Sequence, residues 1–367
     1  MQFGLNESQE FLRNSARNFF SGECPIAEVQ RLMETHTAFD PNLWAKLAEQ
    51  GYTGIIFPEE FGGVGLGIVE LILLIEEAGR ALLPGPFFST VVMAGSLLDA
   101  LATKEQKKKY LLPICRGEAR AAVAFFEPNG SWDLADVRLT AINGKLRGEK
   151  LFVPDAAVAD WIIVVASDGA FLVDAKAPGI RIQPMLSMDL TRKLYSVRLD
   201  DVPGEKLGET AALSRPHGIA TVALAAEMVG GMQRTLDITV EYAKTRKQFG
   251  KPIGIFQAVQ HQCADMYLET EGARSAVYYA AWALQHRASD AAAAVSVAKL
   301  YTSDASRTVG NRGIQVHGGM GFTWENDLHL YYRRAKASET AFGDATFHRE
   351  RLARLTIDAE AVSAQRA

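Results

Sequence analysis

The run Tyr242 to Ile253, YAKTRKQFGKPI, followed by Phe256-Gln257, carries the chain's densest set of residues able to do chemistry. Its pattern is a helix ending in basic residues and a glycine, with a new helix starting after Pro252. Arg246 can grip a phosphate through two nitrogens at once, and Phe249 can stack on a flat ring. The same cations also suit a helix C-terminus, where they offset the dipole. A second run, IQVHGGMGFT from Ile314 to Thr323, puts three glycines, Gly318, Gly319 and Gly321, in four positions. Glycines so placed let a backbone come close to a ligand or another chain; the plainer reading is an interhelical turn. A third segment runs from Arg333-Arg334-Ala335-Lys336 to Phe342-Gly343-Asp344 and His348-Arg349. Its charges also fit a solvated helix face.

Other chemistries find little support. The seven histidines show neither HxxxH nor HExxH spacing, so a zinc site is not expected. Cys24, Cys115 and Cys263 lie far apart with no CxxC, which argues against a disulfide scaffold and fits a reducing cytosol. The glycine-rich stretch Pro58 to Gly67, PEEFGGVGLG, does not follow a strand as a dinucleotide-binding turn would. With 39 Lys and Arg against 43 Asp and Glu, the net charge of -4 gives no general reason to bind nucleic acid or an anionic membrane. The most apolar stretch, Gly218 to Met232, is shorter than the ~20 residues of a membrane span and contains Glu227. The first twenty residues lack the apolar core of a signal peptide. A cytoplasmic enzyme is expected.

The elements that must carry these segments follow from periodicity. At ~150 residues per domain, 367 residues make two to three units. Asn6 with Gln9, Asp40-Pro41, and Thr103 with Gln106 are helix starts in a helical region of 1–117. From 118 to 207 short apolar runs, such as Trp161 to Ala166 and Leu194 to Leu199, alternate with turns such as Asn143-Gly144 and Pro178-Gly179. That pattern predicts an antiparallel β domain. From 208 to 367 the helical pattern returns, with alanine-rich faces suited to close helix packing. The expected class is α+β and mostly helical.

In this order, and around a β insert, the motifs resemble those of the acyl-CoA dehydrogenase family. PEEFGGVGLG looks like the family's N-terminal loop, YAKTRKQFGKPIGIFQAVQHQCADM its strongest motif, and QVHGGMGFTWENDLHLYYRRAK its C-terminal one. The resemblance implies an N-terminal helical domain, a middle β domain and a C-terminal four-helix bundle. It also implies an acyl-CoA substrate, an electron-transferring flavoprotein or similar acceptor, and FAD bound at a subunit interface. One subunit's β domain holds the isoalloxazine, and the neighbour's C-terminal helices hold the adenine and pyrophosphate end. Arg246, Phe249, Gln257, Gln315, Gly318 and Gly319 match the positions of that cross-subunit contact.

The family's reaction needs a carboxylate over Cα of the thioester. Where one common base stands, before a glycine, this chain has Phe342; an ungapped alignment puts the other location at Ala220. Glu227 and Glu339 are the nearest acids, the latter about one helical turn from Phe342, with a surface ion pair to Arg334 or Lys336 as its alternative role. Phe125-Phe126-Glu127-Pro128 stands where members usually carry a threonine before Glu-Pro. Phe152-Val153-Pro154 stands for their Trp-x-Thr, and Pro154 offers neither hydroxyl nor N–H. This asymmetry resembles the base-less subunit of heterotetrameric (α2β2) acyl-CoA dehydrogenases of bacterial steroid side-chain degradation. That leads to the expectation of a subunit that completes a homologous partner's FAD site and helps turn a bulky acyl-CoA into the 2,3-enoyl-CoA. The alternatives are a self-sufficient homomeric enzyme with its base at Glu227 or Glu339, and a non-catalytic scaffold.

Overall fold

A computed structural model describes residues 4–358. The predicted starts are present. Asn6 and Gln9 exchange a capping box at the head of α1 (Glu7–Glu23), whose neighbour is α2 (Ile26–Met33). Asp40 accepts from the amide of Asn42 at the start of α3 (Pro41–Glu49), with Pro41 at the first helical position. The apolar α4 (Ile68–Arg80) follows the glycine-rich loop. A buried π-helix at Phe88–Gly95 runs directly into α5 (Ser96–Leu101). Thr103 and Gln106 box the start of α6 (Lys104–Gln106), which passes through a π-turn into α7 (Leu112–Cys115).

The middle of the chain supplies β1 (Ala121–Ala124), β2 (Lys145–Pro154), β3 (Trp161–Ala166), β4 (Gly169–Asp174), β5 (Ile180–Met185), β6 (Leu194–Pro203) and β7 (Glu205–Gly208). Two sheets form, in the orders β1-β3-β4-β7 and β2-β6-β5. All pairs are antiparallel except β1 with β3. Ile162, Val164, Ala166, Phe171, Val173, Val197 and Leu199 pack the β core. In β6 the inward positions Tyr195, Val197 and Leu199 are buried while Arg198 and Asp200 face water, the period of two of a one-sided sheet.

Helix α8 (Ser214–Thr245) opens the C-terminal region. A two-stranded hairpin, β8 (Lys247–Gln248) and β9 (Lys251–Pro252), links it to α9 (Gln257–Gln285). Then come α10 (Ala291–His317), α11 (Leu328–Thr340) and α12 (Ala345–Ala353).

The chain forms two compact units. One takes in the chain up to Ile26, Ile72–Leu83 and everything from Thr221; the other takes in Ala27–Leu71 and Pro84–Ala220. Within the first, α4 and α8 cross at two glycines. A Cβ on Gly230 would stand 1.9 Å from the carbonyl oxygen of Glu76, and one on Gly79 would stand 2.1 Å from that of Glu227. The same unit buries an ionic network: Glu76 accepts from Arg274 (3.0 Å) and Tyr278 (2.8 Å), and Glu77 accepts from Arg17. Within the second unit, the loop glycines of PEEFGGVGLG serve packing, since a Cβ on Gly63 would meet the Phe57 carbonyl oxygen at 2.0 Å. Among the described residues no helix is long and apolar enough to cross a membrane, and no cluster of three His, Cys, Asp or Glu could hold a metal.

Candidate functional site

The Arg246 segment is built by the end of α8 and the hairpin after it. The Arg246 carbonyl accepts from Ile253 (2.8 Å), closing the hairpin base. Phe249 and Gly250 form its two-residue loop, both with positive φ (53° and 75°), as a type I′ turn requires. Glycine takes that conformation freely, whereas a phenylalanine there is strained by roughly 1–2 kcal/mol. The result is a ring that is 90% exposed and meets Phe256 edge-on, with centroids 6.1 Å apart. Arg246 is exposed, and its guanidinium has no hydrogen bond or ion pair among the described residues. Gln257 is exposed at the first turn of α9, a helix end whose N-cap, Phe256, gives no side-chain bond. That leaves amide donors and the positive end of a 29-residue helix facing solvent.

The glycine run is tied to the same place. The Tyr242 ring stacks on His317 with centroids 4.2 Å apart, joining the last turns of α8 and α10. His317 is buried, donates from Nδ1 to the Gly313 carbonyl (2.8 Å), and is pushed by burial below the usual imidazole range, so it is neutral. Gly318 follows at φ 60°, ψ -138°, a backbone region confined to glycine. Gly319 has no such requirement, and a Cβ at either position would meet nothing within 4 Å. The chain's own packing therefore gives no reason for Gly319 to be glycine. Gln315 is exposed on α10 one turn before Gly319. All six sequence-assigned positions thus lie in the first unit on solvent-facing backbone or side chains, with Met320, Phe322 and Trp324 exposed beside them.

The acidic candidates are placed very differently. Glu227 is 5% exposed and accepts a short hydrogen bond from Arg334, itself 5% exposed. Glu339 is also buried; its carboxylate accepts from Arg307 (2.8 Å) and Lys336 (2.6 Å). It pairs as anticipated with Lys336, its carboxylate buried while the cations of Lys336 and Arg307 reach it from the partly exposed side. Phe342 is buried at φ 59°, and Ala220 is buried within α8. The expectation of a solvated face for Arg333 to Lys336 fails at Arg334, which the Glu227 pair draws inward.

In the second unit the two altered motifs of the β region meet each other. Phe125 stacks parallel to Trp132 (5.9 Å, 7°), Phe126 leans on Trp132 (4.6 Å) and on Phe152 (5.4 Å), and His217 lies 5.4 Å from Phe125. Phe152 has φ 53°, and its N–H points to the sulfur of Met185. Beneath them Lys150, fully buried, donates to the Phe125 carbonyl (3.0 Å) and to Glu127 (2.7 Å). Burial raises the Glu127 carboxyl, but Lys150 and the amides of Leu139 and Arg138 outweigh it and hold the group below its usual range. Trp132 and Lys150 were not foreseen. A tryptophan five residues past Glu127 was a visible hint; the lysine inside an apolar run was not.

The chain matches the acyl-CoA dehydrogenase N-terminal domain model over residues 6–118 and the C-terminal domain model over 215–357. It belongs to the acyl-CoA dehydrogenase family. Members are oxidoreductases that act on CH–CH bonds. Acyl-CoA dehydrogenase IpdE2 of Mycolicibacterium smegmatis is 32% identical over 355 residues, covering 96% of this chain and 98% of the relative. A structure of the Tcur3481-Tcur3483 steroid ACAD superposes with a TM-score of 0.90 at 33% identity, covering 97% of this chain and 99% of that one. The ChsE4-ChsE5 complex of Mycobacterium tuberculosis gives 0.90 at 28% identity, with 96% and 98% covered. This acyl-CoA dehydrogenase-family chain also resembles butyryl-CoA dehydrogenase of Megasphaera elsdenii (TM-score 0.87, 26% identity, 96% and 98% covered).

Proposed function

We propose that this chain is a base-less subunit of a heteromeric, FAD-dependent acyl-CoA dehydrogenase, completing the FAD site of a homologous partner across their interface. The observation that carries the reading is an asymmetry. Arg246, Phe249, Gln257, Gln315, Gly318 and Gly319 are presented outward, with the Arg246 guanidinium making no bond and Gly319 meeting no packing need among the described residues. By contrast, the rings of Phe125, Phe126 and Phe152 pack on one another and on Trp132, and Glu227, Phe342 and Ala220 are buried.

The adenine and pyrophosphate end of FAD fits the first set. Arg246 would hold the pyrophosphate in two charge-assisted bonds, and the uncapped start of α9 adds amides of the right polarity. Gly318 and Gly319 would let backbone reach the same oxygens, while Phe249 and Gln257 border the adenine side. The isoalloxazine end does not fit this chain. Phe125, Phe126, Trp132 and Phe152 fill one another's space, and Pro154 has no N–H to donate. Bound FAD supplies a hydride acceptor for the substrate's Cβ. This chain's own part is to position it and to keep water from its phosphates.

Glu227 and Glu339 are each spent on cations, which speaks against either as the base and against a self-sufficient homomer. The outward Arg246 speaks against a bare scaffold. The division into 1–117, 118–207 and 208–367, a cytoplasmic setting, an α2β2 assembly, an electron-transferring flavoprotein as acceptor, and a bulky steroid-like acyl-CoA belong to the same proposal. The last draws support from relatives described as a steroid ACAD. The test is a visible absorption spectrum of the chain alone and co-purified with a homologous partner. Colourless alone and yellow together supports the reading; yellow alone, bleached by an acyl-CoA, overturns it.

A further inference from the structure

Lys299, on α10, is fully buried, yet no carboxylate lies within ion-pair distance of it among the described residues. Its three bonds go to the Ser303 hydroxyl (3.0 Å) and to the carbonyls of Glu339 (2.9 Å) and Gly343 (3.0 Å). Those carbonyls belong to the last turn of α11 and the bend that follows, where the negative end of the helix dipole suits a cation. The bend is tight. Phe342 and Gly343 have φ of 59° and 94°, and a Cβ on Gly343 would stand 2.3 Å from the Phe347 ring. The carbonyl between them, that of Phe342, accepts from buried His348 Nε2 (2.9 Å). Three carbonyls of the 339–343 segment, those of Glu339, Phe342 and Gly343, are therefore pinned by two interior side chains from α10 and α12.

A lone buried ammonium is costly. Burial pushes the Lys299 amine down to about 7, opposed by the more distant charges of Glu339 and then Asp344. The other charged groups facing it are already matched. Glu339 holds Arg307 and Lys336, Asp304 pairs with Arg307 and Arg349, and Asp344 caps α12 through the Phe347 amide. From α9, packed on α10, no charged group acts on it. A neutral amine keeps all three contacts by donating to both carbonyls and accepting from the Ser303 hydroxyl, so the closed bend tolerates loss of the proton.

We propose that Lys299 is a proton-gated latch on the Glu339–Gly343 bend: the bend stays shut while the amine is buried, and proton uptake by the freed amine drives it open. This rests on the geometry of the first unit alone and not on the subunit reading. The sign follows from linkage. A solvent-exposed lysine titrates near its ordinary value, so between there and about pH 7 the open form holds more protons than the closed form. Opening therefore becomes easier as pH falls, by up to about tenfold per pH unit, and levels off below about 7.

Hydrogen exchange of the full chain, read on peptides covering 339–348 and corrected for intrinsic rates, tests this between pH 7 and 9. Protection should rise about tenfold per unit in the wild type, with no such rise in peptides from β2 and β6. In Lys299→Met the slope should vanish. Equal slopes in the two proteins overturn the latch. If Lys299→Met does not fold, the wild type still decides, because flat protection of 339–348 across that range overturns it as well.

Discussion

The surface around Arg246 and the ring cluster around Phe126 use similar residue types in opposite ways. At Phe249 a strained backbone turns an aromatic ring out into solvent, and at Phe152 the same left-handed backbone brings a ring against Phe126. Strain of this kind persists where surroundings or function demand it. In the first case no packing within the chain demands it, in the second the neighbouring rings do. A surface whose strain and smallness are unexplained internally points to something bound, and a cluster whose rings account for one another does not.

The comparison can be broken at four places. Glu227→Ala takes the carboxylate out of an ion pair buried at both ends and should cost about 3–5 kcal/mol in a denaturation midpoint experiment. The milder Glu227→Gln should leave turnover of the folded heteromer within a few-fold; a drop of ~10² or more would return a base to this chain. Arg246→Ala removes a charge-assisted pair worth about 1.5–3 kcal/mol, so FAD retention by the heteromer should weaken roughly 10- to 100-fold with the midpoint unchanged. Phe126→Ala should do the reverse, losing about 1–2 kcal/mol of stability from its two ring contacts while FAD content stays constant. Gly319→Ala should be the quietest for the fold, within about 0.5 kcal/mol for the isolated chain, yet lower FAD retention in the complex. A stability loss there would mean its smallness serves the chain after all.

Helix starts were legible because Asn6, Asp40 and Thr103 act through bonds to residues two or three positions away. Strands β1, β3, β4 and β6 showed as short runs rich in Val, Ile, Leu and Phe between turns. β2 did not, since its charged residues mask an alternation that works only because buried Lys150 finds Glu127 and the Phe125 carbonyl over twenty positions away. The six outward positions were legible as motif, and Phe342 was readable as a missing carboxylate. What no local pattern announces is pairing across the fold. Glu227 finds Arg334 107 positions later, and Lys299 finds carbonyls 40 and 44 positions on.

The crossing of α4 and α8 at Gly79 and Gly230 also sets a timetable. The unit that contains them starts with α1, takes one helix from the middle of the N-terminal region, and then waits for everything after Thr221. Arg274 reaches Glu76 across 198 positions and Tyr278 reaches it across 202. At about 5–20 residues per second, a ribosome needs ten seconds or more to deliver the partners that α1 and the second half of α4 require. During that interval the apolar face of α4 has only the already emerged segments beside it. The second unit, drawn from Ala27–Leu71 and Pro84–Ala220, is the part able to form first, with the ends of the chain closing last.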